Sequence, residues 1–137
     1  MVKPVPRSGL VIRYDFLWDS ERRKGRQEGT KDRPCAVVLA TPSGRVLVCG
    51  ITHSDPGSDD VRVELDELHK SVLGLDPDRQ WIDCSQINEI SWEDPGIVPV
   101  PGGQWAYGEL GDVEAQAMLD KVRAQLSLEQ LKMIRRP

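Results

Sequence analysis

Two short stretches of this chain carry side chains suited to phosphate and proton chemistry. Glu28-Gly-Thr-Lys-Asp-Arg33 sets two carboxylates, a lysine and an arginine directly before the apolar run Pro34-Cys-Ala-Val-Val-Leu39. A guanidinium is permanently charged and planar, and its fork fits two phosphate oxygens at once, so Arg33 suits a phosphate that gains charge in a transition state. Lys31 adds phosphate affinity, Glu28 can orient Arg33 or take a proton, and Asp32 is suited to orienting a neighbour. The second stretch is Thr52-His53. The threonine hydroxyl can donate to phosphate or polarise a nucleophile, and imidazole is the usual general acid or base. Taken on residues alone, the loop also reads as a solvated turn, and Thr52 as a strand-end threonine selected for β-propensity. His53 either faces Arg33 as a proton-transfer group or turns away to satisfy a loop.

The elements that would position these groups are legible as apolar runs and turn residues. Cys35 to Leu39 is short and rich in valine, as a buried strand requires, and Pro34 can open it because the first position need not donate to the ladder. Thr41-Pro-Ser-Gly44 reads as a turn, and Arg45 to Thr52 as the returning strand. This hairpin would deliver Arg33 and Thr52-His53 to one rim. Leu10 to Trp18 is expected as the first strand, after an extended arm over 1–8, and 19–32 as a long polar loop of the kind usually functional or disordered.

Val61 to Leu65 alternates like an edge strand. Asp66 to Leu73 reads as a short helix, capped by Asp66, with Leu68 and Val72 on its apolar side and Gly74 closing it; His69 is placed on its surface. Gln80 to Asp83 and Gln86 to Trp92 are further strands, and 95–103 is a Pro/Gly-rich turn region. Asp112 is read as the cap of a final helix with the stripe Ala115, Met118, Leu119, Val122 and Leu126; the tail over 127–137 is expected to restart as a short helix through Met133. The whole suggests one domain over 1–137, mainly β (α+β): a small curved antiparallel sheet or partly closed barrel with a short inserted helix and a C-terminal helix.

Bulk properties narrow the function classes. The 137 residues are 39% hydrophobic and 29% charged, an ordinary globular balance. No apolar run approaches the roughly 18 residues of a membrane span, so no membrane partner and a cytoplasmic location are expected. Cys35, Cys49 and Cys84 sit among Val, Leu or Ile and read as packing residues; with no Cys-x-x-Cys and two widely separated histidines, no metal and no cofactor are expected. The net charge of -4 disfavours a general nucleic-acid coat. Within 21–33, however, Arg22, Arg23, Lys24, Arg26, Lys31 and Arg33 outnumber the acids, while 55–67 is strongly acidic. A basic rim on an acidic body suits contact with a few phosphates, although Arg22 to Arg26 alone reads equally as a solvated loop.

Glu28-x4-Arg33-Pro34 followed by a small-and-valine strand resembles the start of the MazF/PemK (Kid) toxins, ribosome-independent endoribonucleases of toxin–antitoxin systems. The likeness continues in order through Gly9-Leu-Val-Ile-Arg-Tyr-Asp-Phe16, Ile51-Thr-His53, Gln86-Ile-Asn-Glu-Ile90 and Leu110 to Leu126. The resemblance implies an SH3-like barrel with a C-terminal helix, commonly a homodimer. It implies metal-independent cleavage of single-stranded RNA to a 2′,3′-cyclic phosphate and a 5′-hydroxyl, with growth inhibition relieved by an antitoxin protein in the RNA groove. It carries the family's catalytic arginine onto Arg33, its functional threonine onto Thr52 and an acidic site residue onto Glu28. His53 departs from the pattern, in which a small hydroxyl residue often follows the threonine.

Single-stranded RNA is read by stacking bases on aromatic faces beside a basic track, which makes Trp18 the leading platform, with Tyr14 and Lys31 as further RNA contacts; Trp81 and Trp92 read as core anchors. The competing expectation is a non-catalytic binding protein on the same barrel: a target inhibitor like the CcdB toxins, or a degenerate RNA-binding member. The stretch 53–80 is longer than expected in compact relatives, and is placed either to cover the groove or to set the recognised sequence.

Overall fold

Uninterrupted apolar runs, rather than alternating ones, build the centre of the sheet. The computed structural model describes residues 2–57 and 60–137, so Met1 of the expected arm and Ser58 and Asp59 of the acidic loop lie outside the described residues. The strands are β1 (Leu10–Tyr14), β2 (Arg33–Ala40), β3 (Arg45–Thr52), β4 (Arg62–Glu64), β5 (Trp81–Asp83), β6 (Gln86–Ser91), β7 (Gly108–Glu109) and β8 (Lys132–Arg135). The helices are α1 (Asp19–Arg23), α2 (Glu67–Val72) and α3 (Asp112–Ser127). Leu10, Ile12, Cys35, Val37, Val46 and Val48 fill one core with Ile90 and Trp92. Their neighbours Val11, Ala36, Val38, Cys49 and Ile51 fill another, beneath Met118 and Val122 of α3. A strand buried on both faces must be apolar at every position, which is why β1, β2 and β3 read as runs.

Strand β3 governs the curvature. One edge pairs antiparallel with β2 along its length; the other pairs with β6 over Arg45–Val48 and with β5 at Ile51–Thr52. Two strands taking turns on one edge, plus a bulge between Val37 and Leu39, curl the sheet into a half-barrel. The result is a mainly antiparallel, small α+β fold, and the 34–52 hairpin stands as expected. Trp81 and Trp92 are buried, and all three cysteines are free and buried. Burial pushes the Cys35 thiol up, and a thiol hydrogen bond with Cys84, then burial, do the same for Cys49, so neither supplies a reactive thiolate.

Four local expectations need correction. First, β1 stops at Tyr14, and the supposed loop contains α1, whose Asp19 gathers Arg22 (2.7 Å) and Arg23 (3.0 Å). The Arg22 hydrogen bond holds that carboxyl below the usual range. Second, α3 is capped by Gly111 rather than Asp112, and the tail is a strand, not a helix. Glu129 takes the left-handed φ of 56° that ends α3, and β8 then pairs parallel with β6, supplying partners to an otherwise open edge. Leu126, expected on the buried stripe, is exposed.

Third, α2 faces the opposite way. Leu68 and Val72 are 68% and 70% exposed, while Lys70 is 1% exposed. Its Nζ donates to Glu67 Oε1 (2.8 Å) and to the carbonyls of Pro77 (2.9 Å) and Asp78 (3.0 Å), as a buried ammonium must. Fourth, His69 is half-buried between two carboxylates rather than free on the surface. Its Nδ1 lies 2.7 Å from both Asp66 Oδ1 and Glu114 Oε2, tying α2 to α3.

One buried amide locks the exit of β1. Asn88 Nδ2 donates to Leu17 O, and Leu17 N–H donates to Asn88 Oδ1, each at 2.9 Å. Arg136 Nη1 donates to the same Oδ1 (3.0 Å) and to Asp15 O (2.9 Å). Asn88→Ala strands Leu17 N–H and C=O in the interior, so urea unfolding should show a loss of about 2–3 kcal/mol. A loss under about 0.5 kcal/mol would mean that the clamp is dispensable.

Candidate anion-binding site

Trp18, Arg33, Thr52 and His53 meet on one cavity of about 370 Å³, within the roughly 300–1,000 Å³ typical of ligand sites. Each side chain has a local reason to be there. The Asn88 clamp delivers Trp18 immediately after Leu17, and Gly50 of β3 makes room for its ring. A Cβ at Gly50 would lie 2.8 Å from Trp18 Cη2 and 3.1 Å from Phe16 Cγ. Phe16 and Trp18 pack with centroids 4.5 Å apart. The Arg33 guanidinium then sits 5.0 Å from the centroid of the Trp18 ring, a cation–π contact. Trp18 thus supports Arg33 from the wall of the cavity.

Arg33 is the anomaly of the site. Among the described residues nothing accepts a hydrogen bond from its side chain, and its Nε is buried without a partner. The carboxylate next to it in sequence is turned away, because successive strand-edge residues face opposite sides. Asp32 instead lies 3.8 Å from Arg13. Thr52, paired with Trp81 at the end of β3, is nearly buried on the same cavity. Its Oγ1 accepts the Ser54 N–H at 3.1 Å, which leaves the hydroxyl hydrogen to donate.

Lys31, exposed, and Arg62 also line the cavity. Arg62 stands opposite Asp83 in the β4–β5 register, and its Nη2 lies 3.3 Å from Asp83 Oδ2. The sequence places Arg62 simply on the polar side of an edge strand; only the pairing with β5, a non-local event, turns it inward. Three cations therefore share this space with one carboxylate, Asp83. An electropositive cavity has formed in a chain of net charge -4.

His53 borders the cavity, but its ring points to the α2–β5 connection. Nε2 lies 3.1 and 3.0 Å from the two oxygens of Asp76, which also accepts the Asp78 N–H at 3.0 Å. Each histidine in fact has its own carboxylates: His53 has Asp76 and Asp78, and His69 has Asp66 and Glu114, with ligand atoms within 4.8 Å of one another. Sequence separation of the histidines concealed both groupings.

Two expected site residues are not brought in. Glu28 is exposed on a separate hollow with Asp15, Asp94 and Arg136, because Gly29 anchors its loop to Asp15 Oδ2 at 3.3 Å. Tyr14 is wholly buried, its hydroxyl donates to Asp94 Oδ2 (2.9 Å), and Arg136 covers its ring at 4.9 Å. Burial pushes the phenol well above its ordinary range, and no base can stack on it. Of the six basic residues in 21–33, only Lys31 and Arg33 reach the cavity.

No protein-family model matches the chain, and no curated protein matches it.

The support beneath Arg33 is testable without a ligand. Gly50→Ala forces Trp18 and Phe16 to shift, and overpacking of this kind costs about 1–3 kcal/mol. Urea unfolding followed by far-UV circular dichroism reads it; a variant as stable as the parent would show that Gly50 is not needed for space.

Proposed function

We propose that this chain is an endoribonuclease of the MazF/PemK kind, cutting single-stranded RNA without a metal from an SH3-like barrel. The observation that carries this reading is Arg33: a guanidinium with no acceptor among the described residues, braced on Trp18, in a cavity shared with the Thr52 hydroxyl. Phosphodiester cleavage by a 2′-hydroxyl needs charge stabilisation on the pentacoordinate phosphorus and a group to take the 2′ proton. Arg33 spans the two non-bridging oxygens, and its interaction strengthens as their charge rises. Thr52 donates its free hydroxyl hydrogen to one of them.

His53 is the base. Giving Nε2–H to Asp76 leaves the neutral ring with Nδ1 as its acceptor, so Asp76 selects the tautomer that can take the 2′ proton. The 2′-oxygen bonds to phosphorus as the P–O5′ bond breaks. The 5′-oxygen leaves with a proton that Lys31 or solvent supplies, yielding the cyclic phosphate and the 5′-hydroxyl. On this reading the chain works as a cytoplasmic homodimer, inhibits growth by cutting mRNA, and is silenced by an antitoxin lying over the cavity. Among the described residues no helix is long and apolar enough to cross a membrane.

One observation favours the alternative of a non-catalytic binder: Glu28, the acidic residue assigned by resemblance, lies outside the cavity. Incubation of the pure protein with long RNA in EDTA separates the two. Cleavage should persist in EDTA and fall about 100- to 1,000-fold in Arg33→Ala. His53→Gln should cost at least about 100-fold, while circular dichroism shows both variants folded. RNA left intact by the parent protein, or cut equally by Arg33→Ala, would reject the enzyme and favour the binder.

A further inference from the structure

Arg62 is the cation of the cavity that the cleavage chemistry leaves unused. We infer that it forms a second phosphate subsite, so that the strand is held by two consecutive phosphates, one on Arg33 and one on Arg62. The inference rests on the nucleic-acid reading of the cavity and adds to it the register of the ligand.

The guanidinium of Arg62 is oriented but not saturated. Nη1 donates to Ser54 O at 2.7 Å and Nη2 faces Asp83 Oδ2 at 3.3 Å, while Nε is buried with no acceptor among the described residues. A guanidinium carries five N–H donors, so one hydrogen on each terminal nitrogen stays uncommitted. Asp83 cannot hold the fork in two-point fashion, because its Oδ1 already accepts Ser85 N–H (3.0 Å) and Ser85 Oγ–H (2.6 Å).

The contrast with the neighbouring pair is direct. Arg79 grips Glu64 through Nε and Nη2, both at 2.8 Å, the closed arrangement of a guanidinium whose charge is answered. Arg62, on the same strand β4 as Glu64, meets a carboxylate among the described residues through one long contact, that to Asp83. It is fixed by protein and left able to bind.

Charge has the right sign: on the cavity lining Lys31, Arg33 and Arg62 outnumber the single carboxylate, Asp83, so a second anion is attracted there as well as the first. Position agrees: Arg33 opens β2 beside the end of β3, where Thr52 lies, whereas Arg62 enters from β4 and is tethered to Ser54, two residues beyond Thr52. The second phosphate therefore sits on the β4–β5 side of the reacting one.

The test uses randomised-sequence 2′-deoxy trinucleotides, which cannot be cleaved by the 2′ route. One pool has two phosphodiesters; two others have the first or the second linkage replaced by a neutral methylphosphonate. The parent protein should bind the doubly charged pool about tenfold more tightly than either neutralised pool. Arg62→Ala should lose that advantage, lose nothing further on the one pool that lacks its phosphate, and lower the salt dependence of binding by about one charge. Should Arg62→Ala fail to fold, Arg62→Gln still bonds Ser54 and gives the same readout.

Equal losses on all three pools, no loss on any, or no binding of any pool would overturn the subsite. If long RNA is nonetheless cut in an Arg33-dependent way, only the subsite has failed. If it is not cut, the enzyme reading has failed with it.

Discussion

The exchange of hydrogen bonds between the buried Asn88 side chain and the backbone of Leu17 is the constraint on which the site stands. It fixes the chain where β1 ends and sends Trp18 over Gly50 of β3. Trp18 in turn holds the Arg33 guanidinium where, among the described residues, no carboxylate pairs with it. Arg136 closes the assembly from the C-terminal end: it bonds Asn88, bonds Asp15 through two atoms and covers the Tyr14 ring. Arg45 then donates to the Arg136 carbonyl at 2.8 Å. Buried polar groups tied to one another this way admit one arrangement, because each is costly to leave unpaired.

What the sequence discloses and what it conceals divide along the range of the forces involved. The 34–52 hairpin is written locally, as an apolar run, a Pro/Gly turn and a returning run, and it carries Arg33, Thr52 and His53 to one rim as expected. The C-terminal tail is different. Its helical propensity is overruled by the open edge of β6, a partner more than forty residues away in sequence, at Gln86–Ser91. Lys70 is hidden for a similar reason, since a lysine becomes a core residue only when carbonyls such as those of Pro77 and Asp78 converge on it. Tyr14 misleads because spacing along a chain does not say which side of a strand a residue occupies, and Glu28 because Gly29 ties its loop to Asp15. Arg62 emerges only through its register with Asp83.

The charge distribution links fold to function. An acidic protein has most of its basic residues answered: Arg22 and Arg23 by Asp19, Arg79 by Glu64, Arg45 by Glu89. Against that background an arginine with no carboxylate among the described residues and a buried, unpartnered Nε is a departure with an energetic cost, and such departures concentrate where a ligand supplies the missing charge. The long 53–80 stretch belongs to the same site. It contributes Arg62 to the cavity and presents Asp76 to His53, while Lys70 pins the loop that carries Asp76. From this stretch His53, Ser54 and Arg62 line the cavity.

The central claim is that the unanswered Arg33 faces a scissile phosphate attacked by its own 2′-hydroxyl. End-group mapping of RNA incubated with the pure protein in EDTA tests it most directly. The account predicts 2′,3′-cyclic phosphate and 5′-hydroxyl ends that disappear with Arg33→Ala. Products bearing 3′-hydroxyl and 5′-phosphate ends, or no products at all, would contradict it.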